Sequence, residues 1–306
     1  MKYSLRIRFL LFTVVFCGSI SCYSQQDPLY GLYLNNPFVI NPAYAGINNN
    51  LTAFASFRNQ WAGFDGAPST ISAGAHMSVM QNKLGVGLMF VGDKIGENTN
   101  NQISASFAYK LRVNDGTTLS FGMQAGYINY KIDPSQLILQ DPTDPAFAAV
   151  SQAKPNVGVG AILKGDKFLL GLSVPRLVNS TVELGGQNIN VYQQHYYLMG
   201  SYLFFLSESI ILKPSILLKA VSGSPLSADA NVNFIFNRKY SVGAYTRNLN
   251  SYGLLAQLDF LDKYRLSYAF EIPTNGSVGT RFVTNEIMLS IRTSVLRFHE
   301  NSVSNF

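Results

Sequence analysis

Residues 263–272, KYRLSYAFEI, put Tyr264, Leu266, Tyr268, Phe270 and Ile272 on one face of an extended chain and Arg265, Ser267, Ala269 and Glu271 on the other. Successive side chains of a strand point to opposite sides, so this segment demands two opposite environments. One face suits lipid and the other a wet lumen. The same split recurs in 102–113, where Ile103, Ala105, Phe107, Tyr109, Leu111 and Val113 oppose Gln102, Ser104, Ser106, Lys110 and Arg112. Comparable alternation appears at 51–59, 69–80, 83–92, 117–131, 155–165, 167–174, 192–205, 209–221, 226–237, 239–247, 251–261 and 284–296. About fourteen strands of roughly ten residues predict an all-β fold, a transmembrane antiparallel β-barrel, for which a single bacterial chain needs an even strand number.

Composition agrees. The chain is 47% hydrophobic and only 13% charged, yet after residue 24 it has no apolar run of membrane-helix length. Backbone groups in lipid must be paired internally, which leaves a closed barrel. The 17 Tyr and 21 Phe suit interfacial girdles, and the 25 Gly suit strands that bend or approach other backbone closely.

Residues 1–24 have the form of a secretory signal peptide. Lys2, Arg6 and Arg8 precede an apolar run from Phe9 to Cys17, and Cys22 and Ser24 are small enough to direct a cut between Ser24 and Gln25. The competing lipoprotein cut before Cys22 lacks the usual leucine three residues upstream. Cleavage at Ser24 removes both cysteines, so the mature chain carries no disulfide. The 23 Lys and Arg fall to 20 when the three basic residues leave, against 17 Asp and Glu, so the net charge drops from +6 to +3. A balance this small implies no nucleic-acid partner.

Four regions follow: the signal at 1–24, an irregular segment at 25–50 with Pro28, Pro37 and Pro42, the outer-membrane barrel at 51–296, and a tail at 297–306. The irregular segment either faces the periplasm or folds into the lumen as a plug. With the first strand running outward, the inner connections are turn-sized and five outer ones, 60–68, 93–101, 132–154, 175–191 and 273–283, are long, while two outer ones, 222–225 and 248–250, are short and break the rule. The phase places Arg58, Lys110, Arg112, Lys164, Lys213, Lys219, Asp229, Arg247, Asp259, Arg265, Glu271, Glu286 and Arg292 inside. Both signs are present, which favours a filled interior over a strongly selective pore.

Candidates for chemistry are few. His76, His195 and His299 stand in no nucleophile or metal motif, so no catalytic residue and no cofactor are assigned. Asp141 and Asp144 offer only two carboxylates, fewer than calcium ordinarily takes. Gly85-Val86-Gly87 and Gly158-Val159-Gly160 lie within strands, where glycine serves packing or curvature and not phosphate binding. The motif around Asn36, Pro37, Asn41, Pro42, Tyr44 and Gly46, together with the single tryptophan, Trp61, is the candidate partner-binding set. Fixing turns is the alternative role of its prolines.

The stretch QQDPLYGLYLNNPFVINPAYAG from Gln25 to Gly46 closely resembles the start of mature type IX secretion system membrane proteins of the PorP/SprF family, found in gliding and secreting Bacteroidetes. Arg58-Asn59-Gln60-Trp61 with Gly63, Gly66-Ala67-Pro68, Ser69 and Thr70 resembles a second family block. Asp141-Pro142-Thr143-Asp144-Pro145-Ala146-Phe147 resembles its acidic loop, and Pro155 to Gly160 the strand after it. Asn285-Glu286-Ile287 departs from the family in lacking a His before Glu-Ile. The resemblance implies an outer-membrane component that contacts other secretion proteins and exported cargo or adhesins, without bond chemistry. A barrel with an N-terminal plug also describes a channel for small hydrophobic molecules, which stands as the alternative.

Overall fold

The computed structural model describes residues 30–136, 149–184, 187–274, 280–299 and 306. The signal peptide and the Asp141–Phe147 loop lie outside them.

Fourteen antiparallel strands close into a barrel. They are Leu51–Asn59, Ser69–Val79, Leu84–Ile95, Asn98–Asn114, Thr117–Ile132, Val150–Lys164 and Phe168–Val174, then His195–Tyr202, Ile210–Val221, Ser227–Phe236, Tyr240–Arg247, Ser251–Phe260, Tyr264–Pro273 and Thr284–Thr293. Each pairs with its neighbours in sequence, and the ring closes where Leu51 meets Thr293 and Asn59 meets Asn285. A short extension at Phe204–Phe205 and a hairpin of Ser180–Leu184 with Gln187–Tyr192 complete the sheet structure.

The two faces sort as the alternation demands. Ile103 is 63% exposed on the outer wall while Ser104, one residue on, is 1% exposed. Phe107, Tyr109, Leu254, Leu266 and Tyr268 likewise look outward. An apolar exterior around a polar interior inverts a soluble protein and fits a barrel solvated by lipid.

At one end the strands are joined by tight turns. Asn237 and Arg238, and Leu261 and Asp262, each have φ near +50°, the two-residue hairpin geometry whose twist matches the strands. The other end carries the longer loops, beside two short connections at 222–226 and 248–250, where Asn248 and Leu249 also have φ near +50°, and one segment departs from expectation. The 93–101 segment is no loop: Asp93 pairs with Asn100 and Lys94 with Thr99 around a Gly96-Glu97 turn. Above the lipid belt neither face needs to be apolar, so the ladder continues through polar residues that lack alternation. Asn98–Asn114, with 17 residues, rises roughly 40 Å at ordinary strand tilt, well beyond a ~25 Å apolar band. The 192–205 segment also differs, because its first residues belong to the loop hairpin and the barrel strand begins at His195.

Ten of the thirteen inward charges are buried and Lys164 and Asp259 are half-buried, with one correction. Arg112 points into water at the turn end, its side chain 70% exposed and paired with Asp115 at 2.9 Å. A bulge between Arg112 and Asn114 breaks the phase where the strand runs past the lumen.

Candidate functional site: the plugged lumen

Residues 31–50 are buried almost without exception, and they lie inside the barrel. Two single-turn 3-10 helices, Pro37–Val39 and Pro42–Tyr44, shape this plug. Each begins with proline, whose fixed φ suits the first helical position. Asn36 and Asn41 precede them, and Asn41 Oδ1 accepts the Ala43 N–H at 2.9 Å. No regular ladder forms, so the segment depends on the wall for its remaining hydrogen bonds.

The plug runs from the long-loop half of the lumen to the turn end. At its start, side chains from five strands converge on Tyr30, Gly31 and Leu32. Glu286 accepts the Gly31 N–H at 2.6 Å and the Leu32 N–H at 3.4 Å, and Arg247 donates to the Tyr30 carbonyl at 2.8 Å. Arg58 bonds Glu286 at 3.2 Å and lies 3.6 Å from Glu271; Arg247 bonds Asp229 at 3.1 Å and Glu271 at 3.4 Å. Tyr245 donates to Glu271 at 2.7 Å. These charges avoid the full cost of burial because each faces an opposite charge and further hydrogen bonds.

Midway, Asn35 Nδ2 reaches Ser267 and Gln257, and Asn41 Nδ2 donates to the Ala161 and Leu172 carbonyls at 3.2 Å each. Toward the turn end, Ser173 donates to the Ile40 carbonyl and Ser120 to the Ala43 carbonyl, both at 2.7 Å. The Gly46 N–H donates to His76 Nδ1 at 3.1 Å, while Lys110 donates to the Gly46 carbonyl at 2.5 Å and to Asn49 at 2.8 Å. Lys164 holds Asn48 at 2.7 Å. Leu34, Phe38, Ile40, Ala43, Tyr44 and Ile47 pack with Phe54, Met89, Ile162, Leu169 and Met199 of the wall.

Glycine makes the fit. A Cβ on Gly85 would strike the Ala45 carbonyl, one on Gly122 the Ala43 backbone, and one on Gly160 the Asn41 side chain. A Cβ on Gly87 would lie 2.7 Å from the Phe38 ring. Both glycine pairs weighed in the sequence thus line close approaches inside the lumen: Gly158, two residues before Gly160, faces the Pro175 carbonyl.

Both mouths are covered further. At the long-loop end Pro175 turns inward and accepts from Gln124 and Asn156, while Arg176 bonds Gln102 and lies 4.1 Å from the Tyr192 ring centroid. At the turn end Tyr44 OH donates to the Phe306 backbone oxygen at 2.8 Å, and Lys213 lies 5.5 Å from the Phe306 ring centroid. His299 Nε2 meets the Ser78 carbonyl at 2.8 Å.

The candidate partner-binding residues therefore separate into two places. Asn36, Pro37, Asn41, Pro42, Tyr44 and Gly46 sit together in the plug, all buried. Trp61 stands apart at the long-loop end, its backbone N–H donating to Thr284 Oγ1 at 3.2 Å and its ring edge-on to Phe64. Sequence reasoning placed Arg58, Arg247, Glu271 and Glu286 inside but missed that they hold the chain at 30–32, since nothing local couples them to it. The histidines have structural partners: His76 lies against Phe38 and Tyr44, His195 stacks on Tyr197, and His299 accepts the Val295 and Leu296 N–H groups. Among the described residues no group of three or more His, Cys, Asp or Glu is placed to hold a metal ion.

A family model described as type IX secretion system membrane protein PorP/SprF matches residues 22–291. The chain belongs to this family. Its members are membrane barrels of the type IX secretion machinery and not a known enzyme family, so this chain has an outer-membrane role in that system. No curated protein matches it in sequence. Among solved structures it is similar to the CymD monoaromatic hydrocarbon channel, at 10% identity and a TM-score of 0.51 over 92% of this chain and 97% of that one. It is also similar to a deltaS2 mutant of the TodX monoaromatic hydrocarbon channel, at 10% identity and a TM-score of 0.50 over 85% and 94%. The Acinetobacter baumannii outer membrane protein Omp33 aligns at 9% identity, TM-score 0.45, over 81% and 100%. At these identities the likeness is one of fold alone.

Proposed function

We propose that this PorP/SprF family member supports export or surface retention of particular secreted proteins or adhesins by binding them, without catalysis. The observation that carries the reading is a lumen filled by the chain's own polypeptide: a barrel so filled offers surfaces for protein, and solute passage would require first emptying it. Family membership supplies the setting, which includes other secretion components in the periplasm and outer membrane. The turn end faces the periplasm and the long loops face outward, as outer-membrane barrels ordinarily do. Asn36, Pro37, Asn41, Pro42, Tyr44 and Gly46 form the partner-contacting surface when the plug is displaced, and Trp61 marks a contact at the outer rim.

Deleting the gene should remove selected proteins from the cell surface while other outer-membrane barrels still assemble. Substitutions at Asn41, Pro42 and Tyr44 should copy that loss with the barrel still present in the outer membrane. Mass spectrometry of surface and medium proteins from the deletion, the substituted strain and the parent makes the comparison. An unchanged secretome with lost uptake of a small hydrophobic solute would overturn the secretion reading in favour of a channel.

A further inference from the structure

The wall of the lumen grips the plug's backbone along the length of the segment, beside its bonds to the side chains of Asn35, Asn41, Asn48 and Asn49. Glu286 takes the N–H groups of Gly31 and Leu32, Arg247 the carbonyl of Tyr30, Ser173 that of Ile40, Ser120 that of Ala43, and His76 and Lys110 the N–H and carbonyl of Gly46. Every polypeptide presents these atoms, so contacts of this kind do not read side chains. Gly85, Gly122 and Gly160 clear side chains from the wall where plug residues pass nearest, which shapes the surface for a chain and not for a compact ligand.

The wall would also tolerate losing its occupant. Ser72, Ser78, Gln102, Gln124 and Asn156 are buried polar residues that water would satisfy equally well. The side chains of Ser104, Ser106 and Ser215 and the Nε2 of His76 have no protein hydrogen-bond partner among the described residues even with the plug in place. The plug, in contrast, carries Leu32, Leu34, Phe38, Ile40 and Ile47, which water would not welcome. A lumen meant only to be sealed would do better with an apolar lining.

We infer that the lumen is a polypeptide-binding site whose ligand is an irregular, non-helical chain segment held by its main chain, and that residues 30–50 are its resident occupant. The incoming segment belongs to an exported protein, and in that respect the inference rests on the secretion reading above. Exchange of one chain for the other is how the barrel distinguishes its free from its engaged state.

The experiment uses the full-length protein in detergent micelles and two fluorescein-labelled peptides, one with the sequence of residues 30–50 and one with the same residues scrambled. A lock is available at Gly31→Cys with Ala269→Cys, because a Cβ on Gly31 would lie 3.3 Å from that of Ala269. The reduced double variant should take up both peptides, and oxidation should lower uptake about tenfold or more by holding the closed population. E286Q, which weakens the grip on residues 31 and 32 without a lock, should speed uptake severalfold. Uptake insensitive to oxidation, uptake by neither variant, or binding of the native peptide alone would each overturn the inference. If both peptides bind as expected while the deletion strain keeps its secretome, the site stands and the secretion reading falls.

Discussion

At the scale of the residue, the lumen-facing glycines carry more than backbone freedom. Gly122 has an ordinary strand conformation, and what matters is the Ala43 backbone pressed against its missing side chain. Gly122→Val should therefore leave the barrel folded and expel the plug. Proteinase K should cut within 30–50 in the variant and spare it in the parent, while heat-modifiable migration on gels stays the same. Gly200 is a control, since a Cβ there meets only side-chain ends on the outer wall, Leu170 at 3.3 Å and Ile216 at 3.8 Å, and Gly200→Ala should be silent. Leu266 and Ser267 separate the two faces in the same way. Leu266 is 38% exposed to the exterior, and arginine there should weaken folding into bilayers, by less than the ~2 to 4 kcal/mol such a charge costs at mid-bilayer depth because Leu266 lies near the turn end. Ser267 is fully buried and bonds Asn35, so Ser267→Arg should instead dislodge the plug while insertion persists. Urea titrations into lipid vesicles read the first effect and proteinase K accessibility the second.

At the scale of the element, the unequal strands set the topology. Asn98–Asn114 and Thr117–Ile132 outrun a lipid bilayer and extend past it at the long-loop end, where Ser135 is exposed. Asp115 is exposed at the opposite, turn end. A cysteine at Ser135 should react with a membrane-impermeant maleimide on whole cells, and one at Asp115 only after the outer membrane is opened. The reverse labelling would invert the barrel. Element length is also where alternation stops being informative: Asp93 to Asn101 holds a ladder without it, because water accepts either face.

At the scale of the whole molecule, no cysteine follows Cys22, so a chain cut at Ser24 draws its stability from the closed ladder and the packed lumen. The thermal unfolding midpoint of the purified mature protein should be the same with and without dithiothreitol. Its intact mass should begin at Gln25; a lipid-modified Cys22 would show as a heavier species and move the cut. The barrel, its two faces and the inward position of most charges were legible in the sequence because strand alternation is written into neighbouring residues. The identity of what fills the lumen was not. Asn36 to Gly46 shows prolines and caps that fix turns, but no local period says where those turns go. The bond from Gly31 to Glu286 spans 255 residues, and the cluster of Arg58, Asp229, Arg247, Glu271 and Glu286 is assembled from five strands that meet only once the barrel closes. The sequence by itself determined a two-faced sheet that had to close in lipid, since each strand carries that requirement in its own alternation. Only the tertiary structure decided that the chain's own N-terminal segment occupies the interior, because that depends on long-range hydrogen bonds and glycine-cleared contacts to which no single segment holds the key.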